Sequence, residues 1–290
     1  MSILKYFSKS NPNNSSDGSL ALRRAYLFLI AYLCVSALCV FGFAQFFPKQ
    51  WFWYAWGVSS STAAVFLWKW FLKREGSISP NRLLTPTKKT ISRFVAGLAI
   101  GSFIILTVTI LLIYLLPLRL VLVDDIHILP TLGWSIALVF CAFQEEVGFR
   151  SYFLQKLQTV KGTWITQLTI AILFAVYHIV GGQDILTAML STGLWSVVFG
   201  LAAVYSRGLA LPTGIHAAST IAQALLSMKT NDGFMGIFLL QPTRNMPDNV
   251  TAVVLIAQSM VLLTTIIILC IKLTGRRGTS DIKYRDLKAV

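Results

Sequence analysis

Residues 132–154 read Leu132-Gly-Trp-Ser-Ile-Ala-Leu-Val-Phe-Cys141-Ala-Phe-Gln-Glu145-Glu146-Val-Gly-Phe-Arg150-Ser-Tyr-Phe-Leu154. The run is long and apolar enough to cross a bilayer, which takes roughly 20 residues. Yet it holds two adjacent glutamates and an arginine. A charge at the centre of a membrane helix costs at least about 2.5–3.5 kcal/mol, so such groups are rare in spans and mark a site by default. Two histidines, His178 and His216, fall in later apolar runs. Together these groups predict an acid–base cluster inside the membrane.

The rest of the chain fits that reading. Of its 290 residues 56% are hydrophobic and 12% charged, whereas a soluble domain carries about 25% charged residues. Mean hydropathy is +0.69. Eight apolar runs stand out, at residues 25–47, 51–72, 94–118, 132–154, 164–180, 185–205, 209–227 and 250–271. The expected class is all-α, a polytopic membrane protein of about eight transmembrane helices. The first run is too long for a signal-peptide core and no A-x-A site follows it, so it reads as an uncleaved anchor.

The net charge of +14 raises nucleic acid or acidic lipid as partners. Its distribution decides for the membrane. With eight spans and a cytosolic N-terminus, 20 lysines and arginines fall inside and only Lys49, Arg119, Lys229 and Arg244 fall outside. That is the positive-inside bias of a membrane protein. No basic patch interleaved with aromatics sits in a soluble segment, so no nucleic-acid partner is expected. Both termini are expected in the cytosol and the lipid bilayer as the surroundings; the short loops and compact length lean towards a bacterial plasma membrane.

Residues 1–24, polar and turn-rich over 8–19, read as a disordered cytosolic N-terminus. Residues 25–273 read as one helical transmembrane domain with its functional core at 130–225. Residues 274–290 read as a basic cytosolic tail. Residues 73–93 form the longest cytosolic loop and 228–249 an outer loop. Cys34, Cys39, Cys141 and Cys270 all lie in apolar runs and show no disulfide or zinc-knuckle spacing. Cys141 precedes Glu145 by four residues and shares its helical face, which leaves a cysteine nucleophile as an alternative.

Helical spacing suggests how the charges divide. Glu146 and Arg150 are four apart and share a face, so they are expected to form a structural ion pair. Glu145 points about 100° away and is expected to face a reaction cavity. A glutamate in a low-dielectric cavity has a raised pKa and suits a general base. His178 and His216 can orient the attacked water or stabilise an oxyanion. This chemistry permits hydrolysis of a peptide bond by Glu-activated water. No cofactor is otherwise called for, but Glu145, His178 and His216 are also a donor set for a divalent metal such as zinc, and that alternative stays open. At 1.5 Å of rise per residue, Glu145 lies about 16 Å from Lys156, His216 about 14 Å from Arg207 and His178 about 25 Å from Lys161. The last needs tilt or an irregular turn after Lys161 to reach the same depth.

Glu145-Glu146-x-x-x-Arg150 resembles the EExxxR motif of the CPBP family, the CAAX-protease and bacteriocin-processing membrane proteins also called Abi. Phe174-Ala-Val-Tyr-His178 resembles that family's FxxxH motif, and His216-Ala-Ala-Ser-Thr220 falls where the family carries HxxxN or HxxxD. The resemblance covers roughly residues 130–225. It implies an all-helical intramembrane protease in which Glu145 activates water, His178 and His216 assist, and Glu146 and Arg150 support the fold. Thr220 departs from the pattern. The family's side chain there helps form the oxyanion hole, and a threonine hydroxyl is shorter than an amide; Ser219 or Tyr177 are the substitute donors.

Three functions follow. The first is an intramembrane endopeptidase acting on a membrane-associated peptide or protein, in peptide maturation or bacteriocin immunity. The second is a non-catalytic membrane scaffold or immunity protein on the same fold, favoured by Thr220. The third is a small transporter with a carboxylate–histidine proton relay, which predicts a second acidic site in another span; none is visible.

Overall fold

A computed structural model describes residues 15–75, 88–124, 126, 128–226 and 236–286. The helices are α1 (Ser15–Ala37), α2 (Lys49–Arg74), α3 (Lys88–Leu115), α4 (Ile128–Arg150), α5 (Tyr152–Val180), α6 (Gly193–Ser206), α7 (Ala210–Leu225) and α8 (Val250–Asp286). α1 runs on through a π turn at Leu38–Phe43 and a 3-10 turn at Ala44–Phe46, and α6 is entered through a short turn at Ile185–Thr187 and a π turn at Ala188–Thr192.

Five segments are long and apolar enough to cross a membrane, against the eight spans expected: Gly18–Phe46, Lys89–Leu115, Ile128–Val180, Ile185–Ser206 and Val250–Thr274. The difference has three sources. α4 and α5 run on as one apolar segment. α7 has only 16 residues. α2 carries tryptophans at 51, 53, 56, 68 and 70 and a Ser-Ser-Ser-Thr run at 59–62, which lower its hydropathy. The helices also overrun the apolar runs. Residues 15–24, expected to be disordered, are already helical, beginning at Ser15 with residue types that favour helix starts. The expected basic tail from 274 is helical as far as Asp286. A helix continues wherever water satisfies its side chains, so hydropathy marks only its apolar part. Residues 1–14 and most of the expected 73–93 loop lie outside the described residues.

The outward faces are apolar, with Ile30 56%, Phe66 68%, Phe103 69% and Ile110 60% exposed, as lipid contact requires. The inward stripe of α1 is Ala25, Phe28, Leu29, Tyr32 and Ser36, the spacing of one helical face. Three apolar clusters form the interior; the smallest joins Val108, Leu112 and Leu116 to Ala257, and the other two flank the site. One gathers Phe28, Trp68, Phe149, Phe153 and Phe174; the other gathers Ile104, Ile105, Trp195, Phe199 and Ile215. α4 lies at their seam, and its inner half is buried from Gln144 to Arg150 without interruption.

α3 and α7 approach each other backbone to backbone. A Cβ on Gly97 would lie 2.4 Å from the Leu211 carbonyl oxygen, one on Gly101 2.4 Å from that of Ile215, and one on Gly214 2.3 Å from that of Phe94. Gly97-x-x-x-Gly101 is thus a small-residue face of the kind that joins membrane helices. It fixes the helix that carries His216.

Two further features tie the ends of the helices. Residues Leu118–Leu122 (β1) pair antiparallel with Phe238–Pro242 (β2), with Leu120 opposite Leu240. This ribbon corrects the purely α expectation and replaces part of the expected 228–249 loop; the partners are too far apart in sequence for any local pattern to show the pairing. At the other side, Glu75 receives Lys156 Nζ at 2.6 Å and Arg24 Nη1 at 3.3 Å, and the Tyr152 hydroxyl donates to it. The clasp joins the starts of α1 and α5 to the end of α2. Burial opposes ionisation of Glu75, but the hydrogen bonds from Lys156 and Tyr152 and the charges of Lys156 and Arg24 outweigh it and hold its carboxyl below the ordinary range.

Candidate active site

α4 and α5 are separated by Ser151 alone, whose φ of −83° and ψ of −100° are not helical, so the helix is interrupted directly after Arg150. α5 is broken at Gly162, whose φ of 73° and ψ of 173° are not helical; without a Cβ, glycine adopts them freely. The break follows Lys161 directly, where an irregular turn was needed to bring His178 to depth.

Glu146 and Arg150 are fully buried side chains joined at 3.3 Å from Nη1 to Oε1. The other guanidinium nitrogen, Nη2, donates to Ser196 Oγ at 2.7 Å and to the Ser196 carbonyl at 3.3 Å. The guanidinium lies 4.5 Å from the Phe174 ring centroid, 5.5 Å from that of Phe199 and 5.6 Å from that of Phe149. Desolvation is thus offset by a carboxylate, a hydroxyl, a carbonyl and three ring faces.

His216 links the two glutamates. Its Nδ1 lies 2.9 Å from Glu146 Oε1 and its Nε2 3.7 Å from Glu145 Oε2. The imidazole stacks on Phe199 at 4.4 Å and 15°. Glu145, 7% exposed, is the more accessible carboxylate, and Glu146 is 0% exposed. Glu146 therefore does more than pair with Arg150: one oxygen serves both the guanidinium and the imidazole. His178 turns Nδ1 back to the Phe174 carbonyl at 2.9 Å. Phe174 lies between the two histidines, 4.5 Å from His178 and 6.2 Å from His216.

Thr220 follows His216 by one helical turn and is half-buried. Of the substitute donors, Ser219 spends its hydroxyl proton on the His216 carbonyl at 2.8 Å, while the Tyr177 ring packs on Phe149, Phe174 and His178. The Cys141 thiol faces α2, 4.0 Å from the Trp53 carbonyl and against Gly57. Among the described residues no three His, Cys, Asp or Glu side chains are arranged to hold a metal ion. Glu145, His178 and His216 thus do not gather as a metal-ligating set, and no step is routed through a metal.

Ser196 and Phe199 are the contributors that sequence reasoning missed. Each is an ordinary residue of an apolar run, and only packing turns it to Arg150 or His216. Gln144 is a third, buried and receiving the Tyr32 hydroxyl at 2.5 Å.

Residues 127–222 match the family model of the type II CAAX prenyl endopeptidase Rce1-like proteins. Over this third of the chain the sequence is similar to the CPBP, or CAAX-protease, family. No curated protein matches the chain. The CPBP match takes in α4 to α7, and with them Glu145, Glu146, Arg150, Phe174, His178, His216 and Thr220. The CPBP family is in general one of peptidases acting on membrane-associated peptides.

Proposed function

We propose that this chain is an intramembrane endopeptidase that hydrolyses a peptide bond of a membrane-associated peptide or protein. The observation that carries the reading is the Glu146–His216–Glu145 contact, at 2.9 and 3.7 Å, buried among apolar helices. Glu145 acts as general base on a water. His216 and His178 stabilise the charge that develops, and Glu146 and Arg150 hold the arrangement. Low surrounding dielectric strengthens each of these interactions. On this reading α2 and α7 also cross the bilayer, completing the eight-span plan. By the positive-inside bias the Glu75 clasp and both termini face the cytosol; the short loops and compact length favour a bacterium, where peptide maturation or bacteriocin immunity is the corresponding role.

The test is cleavage of a membrane-peptide library by purified protein beside Glu145→Ala and Thr220→Asn. Loss of cleavage in Glu145→Ala is expected. Activity unchanged in Glu145→Ala overturns the mechanism. Cleavage that survives exhaustive chelation argues against a required metal. Thr220 favours the second reading, a non-catalytic scaffold or immunity protein. That reading is adopted if neither wild type nor Thr220→Asn, both shown to be folded, cleaves any peptide.

A further inference from the structure

We propose that Tyr177 is a further catalytic residue, whose hydroxyl donates a hydrogen bond to the oxyanion formed when the peptide carbonyl is attacked, and that Gln144 and Ser36 are the positioning residues that hold it. The proposal deepens the peptidase reading and rests on it.

Hydrolysis of a peptide bond puts negative charge on the carbonyl oxygen, and a donor fixed beforehand near that oxygen stabilises it. Ser219 gives its hydroxyl proton to the His216 carbonyl at 2.8 Å. Tyr177 is placed differently. It lies on α5 directly before His178, and its ring meets that imidazole edge-on at 5.2 Å and 86°. Among the charged groups that act on its hydroxyl, Glu145 is the strongest. The hydroxyl therefore lies in the neighbourhood of the proposed base, and Tyr177 is only half-buried.

The hydroxyl is held from two helices. Ser36 of α1 and Gln144 of α4 both hydrogen-bond to it. Gln144 is 0% exposed, and its Oε1 accepts from the Tyr32 hydroxyl at 2.5 Å. The carboxamide thus turns its NH2 group, which only donates, to Tyr177. The phenol oxygen is the acceptor there and does not use its own proton. A hydroxyl has one proton and two lone pairs, and the Ser36 hydroxyl can donate to the second. The phenolic proton is left for an acceptor on the Glu145 side.

This arrangement depends on how α1 packs, and α1 lies outside residues 127–222. Tyr32 and Ser36 are one turn apart on its inward stripe. Gly148 makes room for Tyr32, since a Cβ there would lie 2.3 Å from the Tyr32 ring. The same ring meets Phe149 edge-on at 5.8 Å. Contacts run from Tyr32 through Gln144 to Tyr177, and Ser36 closes them back onto α1.

The step balances without ionising the tyrosine. Glu145 takes one proton from water, the water oxygen bonds to the carbonyl carbon, and the carbonyl electron pair moves onto its oxygen. The Tyr177 O–H donates to that oxygen and keeps its proton. When the intermediate collapses the C–N bond breaks, and the proton on Glu145 passes to the leaving nitrogen. A phenol is more acidic than an alcohol and is the stronger donor, as tyrosines in oxyanion holes illustrate.

The test measures kcat and KM of the full-length protein in lipid nanodiscs, on the membrane peptide that the wild type cleaves fastest. Wild type, Tyr177→Phe, Thr220→Asn and the double variant are compared. Tyr177→Phe removes one oxygen and keeps the packed ring. It is expected to lower kcat about 10²–10³-fold and to leave KM unchanged, the pattern of an interaction made only in the transition state. Thr220→Asn places a second donor one turn beyond His216, so Tyr177→Phe is expected to cost much less in that background. Activity of the double variant also shows that Tyr177→Phe folds. Equal losses in the two backgrounds would mean that the hydroxyl acts through the fold, and overturn the proposal. An unchanged kcat in Tyr177→Phe, or a rise in KM alone, overturns it too. Cleavage that Glu145→Ala abolishes and Tyr177→Phe does not fails this proposal alone. No cleavage by wild type or by Thr220→Asn, both folded, fails the peptidase reading, and this proposal falls with it.

Discussion

Arg150 is 2% exposed and has its positive charge answered by one carboxylate oxygen, one hydroxyl, one carbonyl and the faces of three rings. Breaking a buried pair by removing one partner costs about 3–5 kcal/mol, because the other charge stays behind uncompensated. Arg150→Met is therefore expected to lower the unfolding midpoint strongly, and Glu146→Met/Arg150→Met much less. Thermal unfolding of the two variants side by side measures the difference; equal losses would mean that the pair's charge is not the cause. Ser196→Ala removes one hydrogen bond to a charged group but leaves the carbonyl contact. The expected cost is about 1.5–3 kcal/mol, read in the same assay. At Thr220 the expected change runs the other way. An oxyanion donor is worth about 10²–10³ in rate, so Thr220→Asn is expected to raise kcat, measured on any peptide that the wild type cleaves.

At the scale of elements, the site depends on how closely α3 lies against α7. A Cβ at Gly97 or Gly101 would come within 2.4 Å of backbone oxygen on α7, and backbone cannot move aside as a flexible side chain does. Gly101→Ala is expected to push the helices apart, shift His216 from Glu146, and lower both the unfolding midpoint and activity. Gly42, where an added Cβ would meet nothing within 4 Å, is the control, and Gly42→Ala is expected to change neither. Cleavage rate and midpoint measured for both substitutions check the claim; similar effects at the two positions would sink it. α5 needs a different device. Its break at Gly162 lets one helix begin beneath Arg150 and still bring His178 near the charged cluster.

Across the whole molecule, the ribbon and the clasp lie at opposite ends of the helices and hold elements distant in sequence. Leu120 and Leu240 face each other across the ribbon, at the separation of opposed residues in an antiparallel pair, about 4.5–5.5 Å between Cα atoms. Leu120→Cys/Leu240→Cys, in a chain whose four cysteines are replaced, is expected to form a disulfide on mild oxidation, seen as a mobility shift after cleavage between the two positions. The clasp predicts a pH effect. Glu75 has a folded pKa below its ordinary value of 4.5, so its contribution is complete above that value and is lost as the pH falls through the folded pKa. Glu75→Gln is expected to lower the unfolding midpoint at neutral pH and to flatten its decline below about pH 4.5. A wild-type midpoint that does not decline there would contradict the linkage.

The sequence alone determined that this is a helical membrane protein, because long apolar runs can satisfy their backbone in lipid in few other ways. It also marked Glu145, Glu146, Arg150, His178 and His216, because ionisable groups are costly in such runs and stand out against them. Spacing on one helix was enough to predict the Glu146–Arg150 pair, and depth counting pointed to the irregular turn that Gly162 supplies. It was not enough for contacts between helices. That His216 bridges both glutamates, that Ser196 anchors Arg150 and that Phe199 backs the imidazole depend on how α4, α6 and α7 pack. The Gly97-x-x-x-Gly101 spacing was present to be read, but its partner Gly214 was not. The ribbon between residues 118–122 and 238–242 could be set only by the tertiary structure, since its two strands are brought together by the four helices folded between them.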